Sequence, residues 1–298
     1  MAYGKSVRIY LADGVPTGVR HAEIVNWTGQ AIACPRARFS ELQSWSEVSR
    51  PGVYFLLSRP TGAAPGAAYI GEAENVLVRL KTHLKEKDFW NELVVFSSKD
   101  ENLTKSHVKF LEARIIEQAH LAHRFEVTNV DSATAPALPR ADLAAMEEYL
   151  DHLRLVLGTL GYPVLDPIED APVSGAKPSA AKASPVSGVV FLLTGKSYRA
   201  RGRMVDEGFL LLKSSEIAAS PGASMPGVLR EQREAAMQAG DLASNGGNLM
   251  TKKNMLFGSP SYAAAFVTGA SRNGRRDWKT DDGRTLGDIE DESANKPT

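Results

Sequence analysis

Five positions in this chain combine residue types and spacings suited to cutting a phosphodiester. Gly52-Val53-Tyr54 opens one apolar run, Gly-Val-Tyr-Phe-Leu-Leu, and Tyr69-Ile70-Gly71 closes another, Ala-Ala-Tyr-Ile-Gly. Behind them come Asn75-Val-Leu-Val-Arg79-Leu-Lys-Thr-His83 and then Phe110-Leu-Glu112-Ala-Arg-Ile-Ile. A phosphodiester resists attack because its anionic oxygens repel a nucleophile. Hydrolysis therefore calls for a divalent cation on the phosphate, an activated water and a cation against the developing charge. Mg²⁺ takes oxygen ligands, often only one or two carboxylates, with water and substrate completing its shell. Glu112 is the candidate carboxylate. It lies on a helical stripe with Val108, Leu111, Ile115 and Ala119, so it is either a solvated edge residue or a group kept inside for a purpose. Arg79 and His83 stand four apart on one helix and point the same way. They either face a phosphate or belong to a solvated face that also carries Lys81 and Lys85. Tyr54 and Tyr69 read as ordinary strand aromatics unless a cation brings a phenol, normally near pKa ~10, into use.

The elements that must position these residues follow from periodicity. Val7-Arg8-Ile9-Tyr10-Leu11 alternates like a half-buried strand, Asp13-Gly14 signals a turn, and Ala22–Trp27 reads as the partner strand. Arg38–Trp45 has short helical periodicity. Gly52–Leu57 and Ala67–Ile70 are apolar strands joined by a Pro- and Gly-containing loop, Ser58–Gly66. Val76, Leu77, Leu80 and Leu84 mark a helix ending near Lys87, and Leu93–Phe96 a third strand. A long helix runs from Thr104 or Ser106 to about Arg124, and another from Ala141 to Leu160. The fold class expected is α/β (α+β): a small three-stranded antiparallel sheet flanked by helices, with an N-terminal β extension and a second small α+β domain.

Composition bounds the function. The chain has 298 residues, which favours two domains. Lys and Arg number 35, as do Asp and Glu, so the whole carries no net charge and no global signature of nucleic-acid binding. Cys34 is the lone cysteine, which excludes an intrachain disulfide and a cysteine zinc site. The first residues lack an apolar signal region, and no stretch approaches the ~18 apolar residues of a membrane span. A cytoplasmic protein without a membrane partner is the expectation.

Taken together, the segment from Gly52 to about Asn129 resembles the GIY-YIG nuclease family. Gly52-Val53-Tyr54 stands at the first triplet, with valine for isoleucine, and Tyr69-Ile70-Gly71 at the second. Arg79 falls at the catalytic arginine, His83 at a histidine one turn later, Glu112 at the metal-binding glutamate, and Asn129 at an asparagine near the domain's end. The resemblance implies hydrolysis by water with one divalent metal, Mg²⁺ or Mn²⁺. Tyr54 would act as base or orient the water, Tyr69 would hold water or phosphate, Arg79 would stabilise the transition state, and Glu112 would hold the metal. Lys81, Lys85 and Asn129 would contact nucleic acid. Two departures are Glu72, a carboxylate directly after the second triplet, and the length of the Ser58–Gly66 loop.

The domains expected are 1–165, the nuclease-like domain; 166–187, a Pro/Ala/Ser/Lys-rich linker; 188–287, an accessory domain; and 288–298, a disordered acidic tail. Thr194-Gly-Lys-Ser197 lacks the earlier glycine of a phosphate-binding loop, since position 190 is Val. Ser259-Pro260 gives a helix start. The stretch Phe257–Lys279, with its Ser-Pro-Ser-x-Ala-Ala and Asn-Gly-x-x-x-Trp-Lys elements, resembles a small bacterial domain of unknown function found after nuclease or methyltransferase domains. Between Val189 and Arg284 there are 14 Lys/Arg against 9 Asp/Glu. Arg275, Arg276 and Lys279 beside Trp278 read either as a nucleic-acid contact or as a loop around a core tryptophan. The expected function is a metal-dependent endonuclease, with DNA as the nucleic acid. The competing expectation is a non-catalytic nucleic-acid-binding or scaffold protein that keeps the fold, and the N-terminal strands could serve a protein partner.

Overall fold

Short apolar runs bounded by turn residues dominate the first half of the chain, and they fold as strands. In the computed structural model, residues 3–59, 65–129, 134–167 and 188–294 are described. They divide into two units, one within residues 3–167 and one from residue 188 onward. Most of the expected linker, from residue 168 to 187, and the centre of the Ser58–Gly66 loop lie outside the described residues.

The first unit runs β1 (Val7–Leu11), β2 (Arg20–Ile24), β3 (Gly29–Pro35), β4 (Gly52–Leu57), β5 (Ala67–Ala73), α1 (Val76–Glu86), β6 (Glu92–Ser98), α2 (Lys105–Ala122), β7 (Glu126–Val127) and α3 (Arg140–Thr159). Two 3-10 helices fill Arg36–Ser44 and Ser46–Ser49. The sheet has the order β1-β2-β3-β6-β4-β5-β7, with β5–β7 parallel and the other pairs antiparallel. This corrects the expected three-stranded sheet. The N-terminal strands are a continuation of the same sheet, because β3 pairs along the whole of β6, from Gly29↔Ser98 to Pro35↔Glu92. β6 is apolar to both faces and buried throughout, so leaving its edge open would expose ladder groups beside apolar side chains. β3 escaped the alternation rule because Ala31–Cys34 is a continuous buried run. The second strand ends at Ile24, not Trp27, because Asn26 turns the chain at φ 65°.

Alternation along β4 sends Val53 and Phe55 to one face of the sheet and Tyr54 and Leu56 to the other. Val53, Phe55, Ile70, Val94 and Phe96 pack with α2 and α3. Tyr54, Leu56, Ile32 and Val95 pack with α1, through Val76, Leu77 and Leu80, and with Trp90. Both ends of α1 are fixed. Asn75 Oδ1 accepts the Val78 N–H at 3.1 Å. Arg36, stacked 4.4 Å from the Trp90 ring, donates to the carbonyls of Leu84 at 3.0 Å and Lys87 at 2.6 Å, which the helix itself leaves unpaired.

The second unit runs β8 (Phe191–Gly195), β9 (Tyr198–Val205), β10 (Gly208–Leu211), β11 (Glu216–Ile217), α4 (Gly227–Gln238), β12 (Leu242–Asn245), β13 (Asn248–Thr251), β14 (Met255–Phe257), α5 (Pro260–Thr268), α6 (Gly274–Asp277) and α7 (Leu286–Ala294). Its sheet has the order β12-β13-β11-β9-β10-β14, with β8 also on β9. Phe191, Leu193, Ala200, Phe209 and Leu211 face a core shared with α4, α5, Trp278 and α7. Lys196 and Ser197 form the β8–β9 hairpin turn. The tail from residue 288, expected to be disordered, lies in α7 as far as residue 294. Leu286 and Ile289 are buried in the core, and the acidic residues between and beyond them face outward. A helical spacing of three hides two apolar anchors in a charge-rich stretch.

Candidate active site

The register places Tyr54 opposite Gly71 and Leu56 opposite Tyr69, so both tyrosines lie on the α1 face of the sheet. Their rings are 6.4 Å apart. A Cβ built on Gly71 would stand 2.4 Å from Tyr54 Oη and 2.5 Å from Cζ. The glycine of the second triplet therefore exists to let the first triplet's tyrosine lie across β5. A Cβ on Gly52 would stand 2.3 Å from the Phe96 carbonyl oxygen, which explains the glycine of the first triplet by close approach to β6.

Arg79 and His83 project from α1 onto these rings. Tyr54 Oη and His83 Nε2 are 2.9 Å apart, and the His83 ring lies 5.2 Å from that of Tyr69. Tyr54 and His83 are each 1% exposed, whereas Arg79 is open to solvent. Burial, with the charges of Arg79 and Lys87, lowers the His83 pKa to about 4, so the ring is neutral. Burial, reinforced by Tyr69, pushes the Tyr54 phenol well above its ordinary range, and the facing Arg79 guanidinium only partly offsets this. Since Arg79 is the donor on Tyr54, the phenol O–H is left to donate to His83 Nε2. Among the described residues His83 Nδ1 has no hydrogen-bond partner, with Glu86 Oε2 3.8 Å away.

Lys87 completes this stripe. It follows Arg79 and His83 at the same four-residue spacing, and its Nζ sits 4.2 Å above the Tyr69 ring. Sequence reading missed it, although the spacing alone marks it. Lys81 and Lys85, two residues out of phase, are exposed on the other side of α1 and do not join the tyrosines.

Glu112 belongs to α2, on the opposite layer, and reaches the site past the outer edge of β5. That edge is finished in three ways. β7 takes the first part through Thr128 N–H to the Ala68 carbonyl, 2.9 Å. The Asn129 side chain takes both groups of Ile70, accepting its N–H at 3.0 Å and donating to its carbonyl at 2.7 Å. The Glu72 N–H faces the Glu112 carboxylate. Asn129, expected to touch nucleic acid, thus has its amide committed to the backbone of the strand that carries Tyr69. Glu112 is half-buried, and burial, together with the charge of Glu72, raises its pKa to about 7. Glu72 sits opposite Val53, on the α2 face, so it adds charge beside Glu112 and not beside the tyrosines.

This donor set suits a hard cation. Among the described residues no group of three or more His, Cys, Asp or Glu could hold a metal by itself. One half-buried carboxylate whose charge is disfavoured by a second fits an ion that fills its remaining shell with water and substrate oxygens.

Residues 191–290 match a family model described as Domain of unknown function (DUF4357). No GIY-YIG family model matches the first unit. No curated protein and no solved structure matches the chain. Among the described residues, no helix is long and apolar enough to cross a membrane.

Within the matched domain, the cations expected at a nucleic-acid contact separate. Arg275 donates to Glu290 and Asp291 of α7, each at 2.7 Å, so its charge is already met. Trp278 is fully buried, its Nε1–H donating to the Pro260 carbonyl at 2.9 Å and its ring packed 4.6 Å from Phe209; no base can stack on it. Arg276 and Lys279 are exposed. The deepest cation of the unit is one that the sequence did not flag. Arg233 is buried and donates to the carbonyls of Ala218 at 2.8 Å and Phe266 at 2.9 Å, capping the end of α5, and burial lowers its pKa to about 10.

Proposed function

We propose that the first unit is a metal-dependent endonuclease of the GIY-YIG kind, hydrolysing phosphodiester bonds of nucleic acid, with DNA as the expected substrate. The observation that carries this reading is the convergence of Tyr54, Tyr69, Arg79 and His83 on one sheet face with Glu112 within their electrostatic reach. Glu112, beside Glu72, would hold Mg²⁺ or Mn²⁺, and the ion would polarise the phosphate and neutralise its charge.

The protein groups divide the remaining work. Tyr54 is held protonated, so it is a poor pre-formed base. Its oxygen can accept a proton from the attacking water as its own proton passes to His83, which is unprotonated at neutral pH but, with a pKa of about 4, a weak acceptor. Arg79, exposed and facing both phenols, is placed to bind a phosphate oxygen and to oppose charge that builds up in the transition state. Lys87 adds a second cation at the far side of Tyr69.

The competing reading, a non-cleaving nucleic-acid-binding protein on the same scaffold, is favoured by the near-complete burial of Tyr54. Nicking of duplex, branched and single-stranded DNA in Mg²⁺ by the wild type and by Glu112→Gln decides between them. The nuclease reading expects cleavage by the wild type alone. Cleavage by both proteins removes the proposed site, and cleavage of nothing leaves the binding protein.

A further inference from the structure

We infer that the outer face of the second unit's sheet, centred on Arg199, Arg201 and Lys279, binds the phosphate backbone of a nucleic-acid duplex. The inference rests on the nucleic-acid reading above but concerns a surface that takes no part in bond cleavage.

Strand alternation makes the face. Ala200 and Gly202 of β9 are buried against the helices, so Arg199, Arg201 and Arg203 turn the opposite way. Their Cα atoms stand about 6.6 Å apart along the strand. Register adds the fourth cation. Leu192 pairs with Arg201 on one side and with Lys279 on the other, which puts Lys279 in the same row and on the same face. Lys279, singled out in the sequence beside Trp278, therefore belongs with the β9 arginines and not with Arg275. Arg199, Arg201 and Lys279 are exposed, and their side chains make no hydrogen bond or ion pair among the described residues. The one carboxylate paired in register here is Glu216, opposite Arg199, and it already accepts from Asn245 at 3.2 Å.

The character of the face selects the ligand. Leu192, Thr194 and Thr285 lie between the cations, and the aromatic residues Phe191, Phe209 and Phe257 all belong to the inner core. Single strands are held by aromatic stacking as well as by charge. A face of cations with no ring to stack on suits phosphates whose bases are already paired, and such contacts position a duplex without reading its sequence.

The test is the salt dependence of binding by the full chain to a 20-base-pair duplex DNA, read by fluorescence anisotropy in the absence of divalent metal. Each neutralised phosphate contributes a slope of about −0.9 in log K against log salt. The triple substitution Arg199→Gln, Arg201→Gln and Lys279→Gln should flatten the slope by about 2 to 3 and weaken binding at least tenfold at about 0.1 M salt. Arg199→Lys with Arg201→Lys should retain the slope, because a point charge suffices. A charge-matched control, Arg272→Gln, Arg275→Gln and Arg284→Gln, removes arginines that are paired to carboxylates and should leave the slope within about 1 of wild type. Unchanged melting of each variant shows that folding is intact. An unaltered slope in the first triple, an equal loss in the control, or no duplex binding by the wild type at about 0.05 M salt overturns the assignment. Glu112-dependent cleavage with an unaltered slope would leave the nuclease reading standing without this surface, and a flattened slope in a protein that cuts nothing would do the reverse.

Discussion

Replacing Gly71 by alanine tests the geometry of the site more directly than replacing any of its polar residues. The added Cβ would stand 2.4 Å from Tyr54 Oη and 2.5 Å from Cζ, where carbon contacts need about 3.5 Å or more. The Tyr54 ring must retreat by about 1 Å, yet it is 1% exposed and wedged between β4, α1 and the Tyr69 ring. A shift of that size disturbs the hydrogen bond between Oη and His83 Nε2, which are 2.9 Å apart. Overpacking costs about 1–3 kcal/mol and an unmade buried hydrogen bond about 1–3 kcal/mol, so the expected loss is about 2–6 kcal/mol. Because two units do not guarantee one unfolding transition, the assay is native-state hydrogen exchange on peptides covering β4 and β5. In a Tyr54→Leu background the ring is gone, and Gly71→Ala should cost less than about 0.5 kcal/mol there, a large coupling for residues in contact. A Gly71→Ala cost below about 0.5 kcal/mol in the wild-type background, or an equal cost in both backgrounds, would refute the steric account of the second triplet.

Three further outcomes follow from other parts of the fold. His83 is held neutral in the folded chain with a pKa of about 4, against an ordinary value of 6.5, so the unfolded chain takes up the proton first as pH falls. This costs the first unit about 3 kcal/mol between pH 6.5 and pH 4, opposed over the same range by Glu112, whose raised pKa makes the folded chain take up that proton first; His83→Gln should therefore gain about 3 kcal/mol relative to wild type as pH falls across that range, read by hydrogen exchange. Asn129→Ala strips both hydrogen bonds from Ile70 and should speed exchange of the Ile70 amide by about ten- to a hundredfold, with Asn129→Asp worse because a carboxylate would meet the Ile70 carbonyl. Arg233→Met leaves the carbonyls of Ala218 and Phe266 without their donor and should cost the second unit about 3–5 kcal/mol in hydrogen exchange of α5, while the β4 and β5 amides stay unchanged.

What was legible in the sequence was whatever local pattern determines. The two triplets, the caps at Thr104 and Ser259, and the phase of Arg79 and His83 on α1 are properties of a few neighbouring residues, and the structure has them in the expected elements. β3 was invisible because its apolar run, buried on both faces, has no period to detect, and only its pairing with β6 gives it a place. The partners of Asn129 and Arg275 were hidden for the same reason: an amide or guanidinium has an obvious chemistry, but whether that chemistry is spent on Ile70 or on α7 depends on residues 59 and 15 positions away. Lys87 was legible and overlooked, since it continues a four-residue spacing already in hand.

The outer edge of β5 has a bearing on how this protein is handled. A strand edge with free N–H and C=O groups is a template for pairing with another chain, and edges are commonly blunted by charge or by covering. Here two of the three coverings are the side chains of Asn129 and Glu112. An alanine at Glu112, the obvious choice for an inactive variant, would open part of that edge as well as remove a carboxylate. Its behaviour would then mix lost chemistry with self-association through β5, and size-exclusion chromatography should show the difference. Glu112→Gln keeps an oxygen toward the Glu72 N–H while removing the charge, so it separates a silent site from a sticky strand.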